Sequence, residues 1–345
     1  MKKILFLFMG LLALTSCMTD VDEPHVVIRP VTEAMLLATP GFLGYPEMIY
    51  DQNGDTVYEC GQADHILSLL AEGADWYASI STDGGTCSVV KNGKRIYTTT
   101  QTILNMAVEN GIVYTVQQNG SSDTYWVYKD FEPLYEFPNN VNYYALCVNQ
   151  GNISFTVNSD KPYTWWNGKF IQFEGLDDGF GYTYGFDTSG NNSLIVFQGY
   201  NSEKYMYIWN GTVNVLPKLF APKASRLING HAFILGRQMT SQGVGGNLYV
   251  PAVIIDGVVT ILDDDLGFAA VQAVAHEMDT YILVKDMTGR SSWSTIYRNM
   301  QKAYMPNNIL IPEDLRNVYQ SADGMSTSLN ILGITAMAIV EKNTD

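Results

Sequence analysis

One short unit recurs along this chain: a run of β-branched and aromatic residues, then Asn-Gly or Asp-Gly, then a second apolar run. Met48-Ile49-Tyr50 leads to Asn53-Gly54 and Val57-Tyr58. Ser88-Val89-Val90 leads to Asn92-Gly93 and Ile96-Tyr97, and Thr164-Trp165-Trp166 leads to Asn167-Gly168 and Phe170-Ile171. Tyr207-Ile208-Trp209 meets Asn210-Gly211, and Val253-Ile254-Ile255 meets Asp256-Gly257. Asp130-Phe131 and Asn299-Met300 are degenerate copies behind Trp126-Val127-Tyr128 and Thr295-Ile296-Tyr297. Asn-Gly between such runs is the strongest local hairpin signal, because both central residues of a type I′ turn need positive φ.

A second series of turns lies between the first: Glu72-Gly73, Asn110-Gly111, Gln150-Gly151, Ser189-Gly190, Asn229-Gly230, Met278-Asp279 and Asp323-Gly324. Each is followed by another apolar strand, so every period of about forty residues holds four strands. That is the length of one propeller blade, and a blade buries its faces only by stacking on its neighbours. The expected fold is all-β, a β-propeller of four-stranded blades. Seven blades are favoured, with six plus an extra hairpin as the alternative. The chain opens on the second hairpin of a blade and closes on the first hairpin of one, over residues 318–334. N-terminal and C-terminal strands in one blade would close the ring without an unpaired edge. The WD dipeptide and Gly-His of WD40 repeats are absent, and the Trp-Asn-Gly hairpin resembles that of exported propeller lipoproteins.

A chain of 345 residues can bury a large core without metal or disulfide support. Its 35 acidic and 20 basic side chains give a formal charge of -15. Such a balance repels phosphate backbones and anionic lipid heads, which excludes nucleic acid as a partner and leaves no peripheral membrane surface. Charged residues make up only 16% of the chain, so long solvated helices are not expected.

Lys2 and Lys3 precede an apolar run, residues 4–14, too short to span a bilayer and suited to a signal peptide. The run ends in Leu14-Thr15-Ser16-Cys17, which resembles the bacterial lipobox; the acidic residues 18–24 resemble the surface-export signal of Bacteroidota lipoproteins. The resemblance implies cleavage before Cys17, a diacylglycerol thioether on that residue, and an outer-membrane lipoprotein that meets the membrane only through its lipid. The expected organisation is a signal peptide over 1–16, a lipidated cysteine and tether over 17–30, and the propeller over 31–345. Cys60, Cys87 and Cys147 are widely spaced and lack any C-x-x-C, the pattern of buried apolar side chains, although a single bridge is open to an exported protein.

In a blade with strands a to d running outward, the a-b and c-d turns leave on one face and the b-c and d-a connections on the other. Both turn series are tight, whereas the alternate connections, 174–182, 216–226, 237–248, 286–293 and 305–314, are longer. Long loops on a rigid scaffold tend to carry function. The candidate binding face therefore holds Asp64, His65, Asp177, Asp178, Tyr182, Tyr200, Arg226, Arg237, Asp263, Asp264, Asp265, Arg290 and Trp293. Aromatic planes beside acids and arginines suit sugar rings, while loop aspartates also cap turns.

Sharper motifs fail. Residues 51–62 begin like a calcium loop but carry Gly54 two places early and Gln62 in place of the bidentate Glu. His276-Glu277 lacks the second histidine of a zinc helix, since Thr280 stands there. No metal, cofactor or catalytic residue is implied. The expected function is a lipid-anchored envelope protein that presents a propeller face to a glycan or protein partner. The alternatives are a polysaccharide lyase or glycosidase using channel-facing residues, and a structural subunit of an envelope complex.

Overall fold

The computed structural model describes residues 26–27, 34–39, 46–119, 124–137, 142–158, 163–166, 169–172, 180–199, 204–243, 246–276, 278–288, 294–304 and 336–341. Every element among the described residues is a β-strand. Six consecutive antiparallel sheets of four strands follow one another along the chain, each ordered a-b-c-d. Their strands are Asp64–Glu72, Asp75–Thr82, Cys87–Lys91 and Lys94–Thr99 in blade I, and Thr102–Glu109, Ile112–Gln118, Tyr125–Lys129 and Glu132–Glu136 in blade II. Blade III has Asn142–Asn149, Asn152–Asn158, Tyr163–Trp166 and Lys169–Gln172; blade IV has Phe180–Ser189, Asn192–Gly199, Tyr205–Trp209 and Thr212–Val215. Blade V has Phe220–Ile228, His231–Gly243, Gly246–Ile255 and Val258–Ile261; blade VI has Phe268–His276, Asp279–Asp286, Ser294–Arg298 and Gln301–Tyr304. The fold is an all-β propeller of four-stranded blades.

The expectation of seven four-stranded blades is met by six. The remaining sheet has five strands: Ala336–Val340, Ala34–Thr39, Met48–Asp51, Thr56–Glu59 and, outermost, Val26–Val27. The expected join of two hairpins also differs. One C-terminal strand pairs antiparallel with an N-terminal strand, Leu36 opposite Ala338, and three further N-terminal strands complete the sheet. The expected hairpin over 318–334 lies outside the described residues.

Burial follows the stacking. Seven clusters of buried apolar side chains each join two consecutive sheets. Tyr58, Ile49, Leu69 and Trp76 link the mixed sheet to blade I, and Leu37, Tyr50, Leu283 and Ile296 link blade VI to the mixed sheet. Strand Ala336–Val340 packs on the inner strands of both blade I and blade VI. Each fully buried Leu, Ile or Phe contributes about 1.5–3 kcal/mol, so the blades hold one another as much as they hold themselves.

The c-d turns explain the Asn/Asp-Gly signal and add to it. Five have positive φ at both central residues, as a type I′ turn requires: 92–93, 130–131, 210–211, 256–257 and 299–300. In each, the first residue's side chain also accepts a hydrogen bond from strand b: Asn92 from Trp76 N, Asp130 from Val113 N, Asn210 from Ser193 N, Asp256 from Ala232 N and Asn299 from Thr280 N, all at 2.9–3.1 Å. The residue type tracks its second neighbour. Asn92, Asn210 and Asn299 donate their amides to Asp75, Asn192 and Asp279, whereas Asp256 faces His231. Phe131 and Met300 hold positive φ without being glycine, and their side chains reach a core between blades: Phe131 stacks on Tyr97 of blade I at 4.3 Å, and Met300 packs against the cluster shared by blades V and VI. The turn at Asn53-Gly54 is of another kind, with only Gly54 at positive φ, and 167–168 lies outside the described residues.

The a-b turns latch blade to blade. The Glu72 carboxylate accepts from Asn110 N and Gly111 N of blade II, Glu109 accepts from Gln150 N and Gly151 N of blade III, and Asn149 donates to Gly190 O of blade IV at 2.8 Å. Glu341 N donates to Gly73 O at 2.7 Å, tying the C-terminal strand to blade I.

Candidate functional site

The inner strands enclose a cavity of about 500 Å³ lined by Ser68, Asn105, Tyr184, Asp187, Ser225, Arg226 and Gln272 among others. A β-bulge breaks each inner strand of blades I to VI at its third to fifth residue, Leu67, Leu104, Tyr144, Tyr184, Lys223 and Val271, and blade IV has a second register shift at Gly181. Bulges re-aim a side chain and end regular pairing. Here they set one residue per blade at a common level near the d-a end of the channel. Leu67 and Leu104 are 48% and 41% exposed, large for apolar side chains on the innermost strands, and Tyr182 is 48% exposed. Tyr182, Tyr184 and Tyr205 meet edge to face, with ring centroids 4.7 and 5.6 Å apart. Burial, with Tyr205 beside it, raises the Tyr184 phenol above its usual range.

Close packing of the inner strands is specific. A Cβ on Gly185 would lie 2.5 Å from Ser225 N, so only glycine lets blade IV approach blade V there. Next to it, the buried Asp187 carboxylate accepts from Thr188 N at 3.0 Å and from Leu227 N of blade V at 2.8 Å, with Arg226 3.8 Å away. Cys147 of blade III lies 3.5 Å from Asp187 and 3.0 Å from Thr188 Oγ1. Burial and then the Asp187 charge push its thiol up to about 12, so it stays protonated.

Sequence expectation and structure agree only in places. Asp64 is buried at the start of blade I, accepting from Gly61 N at 3.3 Å with Arg95 at 3.5 Å, a turn-capping role. His65 is exposed between Glu47, 3.0 Å, and Asp83, 3.2 Å, and those hydrogen bonds, Glu47's first, raise its pKa. Asp263, Asp264 and Asp265 lie together in the d-a connection of blade V. Lys302 reaches Asp263 at 2.9 Å and Asp265 at 3.3 Å, and Tyr297 donates to Asp263 at 2.7 Å. Burial opposes ionisation of Asp263, but these hydrogen bonds hold its pKa well below the carboxylate range.

Two placements correct the sequence reading. Arg226 stands two residues before the end of its strand, at the a-b end of the channel rather than on the opposite face. The expected loop over 237–248 is instead a continuation of the b-c hairpin, paired as far as Gly243 with Gly246, and Arg237 lies within strand b. Its guanidinium stacks on Tyr249, 4.2 Å from the ring centre. Asp177, Asp178, Tyr200, Arg290, Trp293 and Cys17 lie outside the described residues.

Sequence reasoning missed the bulge ring and Lys223. An extra residue in one strand leaves no mark in a period of two, and Pro222 before Lys223 reads as loop. Lys223 and Arg237 sit close enough to repel: burial and then Arg237 hold the Lys223 amine below its usual pKa. Lys285, lining a second cavity of about 340 Å³ beside Gln272, is lowered by burial alone.

No family model matches the sequence, and no curated protein matches it. The fold is similar to solved propellers. The β-propeller domain of the trilobed protease from Pyrococcus furiosus aligns at a TM-score of 0.54 with 12% identity, covering 84% of this chain and 98% of that one. The acylaminoacyl peptidase of Pyrococcus horikoshii aligns at 0.53 with 11% identity over 85% of this chain and 53% of that one. Dihydro-heme d1 dehydrogenase NirN aligns at 0.51 with 10% identity, over 83% and 66%. Similarity at this level establishes the propeller and nothing about chemistry.

Proposed function

We propose that this chain is a binding protein of the cell envelope, anchored by lipid on Cys17 in the outer membrane, that presents the d-a end of its channel to a glycan. On this reading the five-stranded sheet acts as a seventh, closing blade, and the ring is a rigid mount for its mouth. The observation that carries the proposal is the set of exposed side chains near the starts of inner strands, Leu67 and Leu104 at bulges of blades I and II and Tyr182 of blade IV, at one end of a channel that encloses a cavity of about 500 Å³. Exposed apolar and aromatic faces at a concave mouth suit the apolar face of a sugar ring, with polar groups below to meet its hydroxyls.

A binder is favoured over a hydrolase by what the acids do. Asp64 faces Arg95, Asp187 faces Arg226, and Asp263 and Asp265 share Lys302, so these carboxylates are committed to internal partners. The test is retention of the full chain on immobilised host and plant polysaccharides, with release of reducing and unsaturated ends followed in parallel. Retention without release is expected. Release of either end would instead support the lyase or glycosidase. Incorporation of labelled palmitate, lost in Cys17→Ala, tests the anchor.

A further inference from the structure

Four arginines fall in the described segments. Arg95, Arg226 and Arg298 each face a carboxylate. Arg237 faces none among the described residues. Its Nε is buried without a hydrogen-bond partner, as is the neighbouring Gln238 Oε1. A second cation, Lys223, the bulge residue of the blade V inner strand two places from Arg237's strand partner Ala221, lies within its electrostatic reach. Two half-buried cations set against each other are unfavourable, in a chain with 35 acidic side chains from which a partner could have been drawn. A guanidinium seated 4.2 Å over the Tyr249 ring is positioned by it, and its planar fork suits a planar oxyanion. The equivalent bulge of the preceding blade is Tyr184, in edge contact with the exposed Tyr182.

We propose that Lys223 and Arg237, with Tyr249 beneath the guanidinium, bind a ligand carboxylate at the channel mouth, and that the glycan is therefore acidic, one built from uronic acids. The inference rests on the glycan-binding reading above and adds the charge of the ligand. A uronate places its carboxylate at the edge of a pyranose ring. A cation pair on the first two strands of blade V and tyrosine faces on the inner strand of blade IV match that arrangement, whereas the acidic side chains of a peptide bring no ring face to lay on the tyrosines.

The test is affinity electrophoresis of the full chain through polygalacturonate, alginate and heparosan, each beside its carboxyl-reduced neutral counterpart, and through polyglutamate. Retardation by at least one uronate polymer, at tenfold lower concentration than by its reduced form, is expected. The Lys223→Met/Arg237→Met double variant should lose that preference while keeping its response to the reduced polymer, and Arg237→Lys should keep part of it. Because neither cation pairs with a carboxylate among the described residues, and the double substitution removes their mutual repulsion along with the Arg237–Tyr249 contact, the melting temperature of the double variant should stay within a few degrees of wild type. Equal response to acid and reduced forms, or a preference that survives the double substitution, would overturn the inference and leave the glycan-binding reading standing. Polyglutamate matching the best uronate would overturn the assignment to a glycan acid. No response to any glycan, acid or neutral, would overturn both.

Discussion

Asn92 tests whether the c-d turns do more than supply positive φ. It adopts φ 48°, accepts from Trp76 N at 2.9 Å and donates to Asp75 at 2.7 Å. In Asn92→Ala, the left-handed backbone loses the local hydrogen bonding by which asparagine offsets its cost of roughly 1–2 kcal/mol. The Trp76 amide, on a residue only 2% exposed, loses an acceptor at about 1 kcal/mol. The exposed contact to Asp75 adds little, so the sum is about 2–3 kcal/mol. Asn92→Gly keeps the backbone and loses the side chain, for about 1–2 kcal/mol. Asn92→Asp keeps the acceptor but sets a second carboxylate against Asp75. Burial opposes ionisation of Asp75, while Lys91 and Asn92 together hold its pKa below normal. Stability from that depressed carboxyl is present above the unfolded pKa of about 3.9 and is lost as pH falls through the folded value. Aspartate at 92 would therefore destabilise most at neutral pH and least in acid. Urea unfolding at pH 7 and pH 3 reads the series, with an unchanged m-value as the control. An alanine variant within 0.5 kcal/mol of wild type, or an aspartate variant indifferent to pH, would refute the clamp.

Three further outcomes follow from single residues. Gly185→Ala places a β-carbon 2.5 Å from a backbone nitrogen of the next blade; a loss of about 2–3 kcal/mol in urea unfolding is expected, and a loss under 0.5 would contradict the close approach. His65, its pKa raised by Glu47 and Asp83, contributes stability that is full below about 6.5 and fades as pH rises through its folded pKa. His65→Ala should flatten that dependence, measured as melting temperature against pH. Cys60, Cys87 and Cys147 are free and buried, so a thiol reagent should label them only as the chain unfolds; rapid labelling of the native protein would show an accessible thiolate.

The periodic turns made the blades legible because their chemistry is local: positive φ demands Asn, Asp or Gly at fixed places. The chain ends were not legible, because Ala34–Thr39 and Ala336–Val340 are apolar strands with no such turn between them, paired across some three hundred residues. Where the candidate residues stand on the propeller was legible only in part. Tyr182 and Arg237 stand where a ligand could meet them, while Arg226 was displaced because its strand starts at Phe220, earlier than a loop over 216–226 allows. Leu67, Leu104 and Lys223 gave no signal, since a bulge is a property of pairing and the Asn-Gly pattern does not report it. The latches formed by Glu72 and Glu109 were hidden for a similar reason, as each carboxylate meets a turn some forty residues away.

Hydroxyl-radical footprinting of the full chain, with and without a retained polysaccharide, tests the location of the working surface most directly. Tyr182, Leu67 and Leu104 report the d-a mouth, and Met278, 87% exposed in an a-b turn, reports the opposite face. Protection of the first three with Met278 unchanged is the expected result. Protection of Met278 with the mouth unchanged would contradict the account.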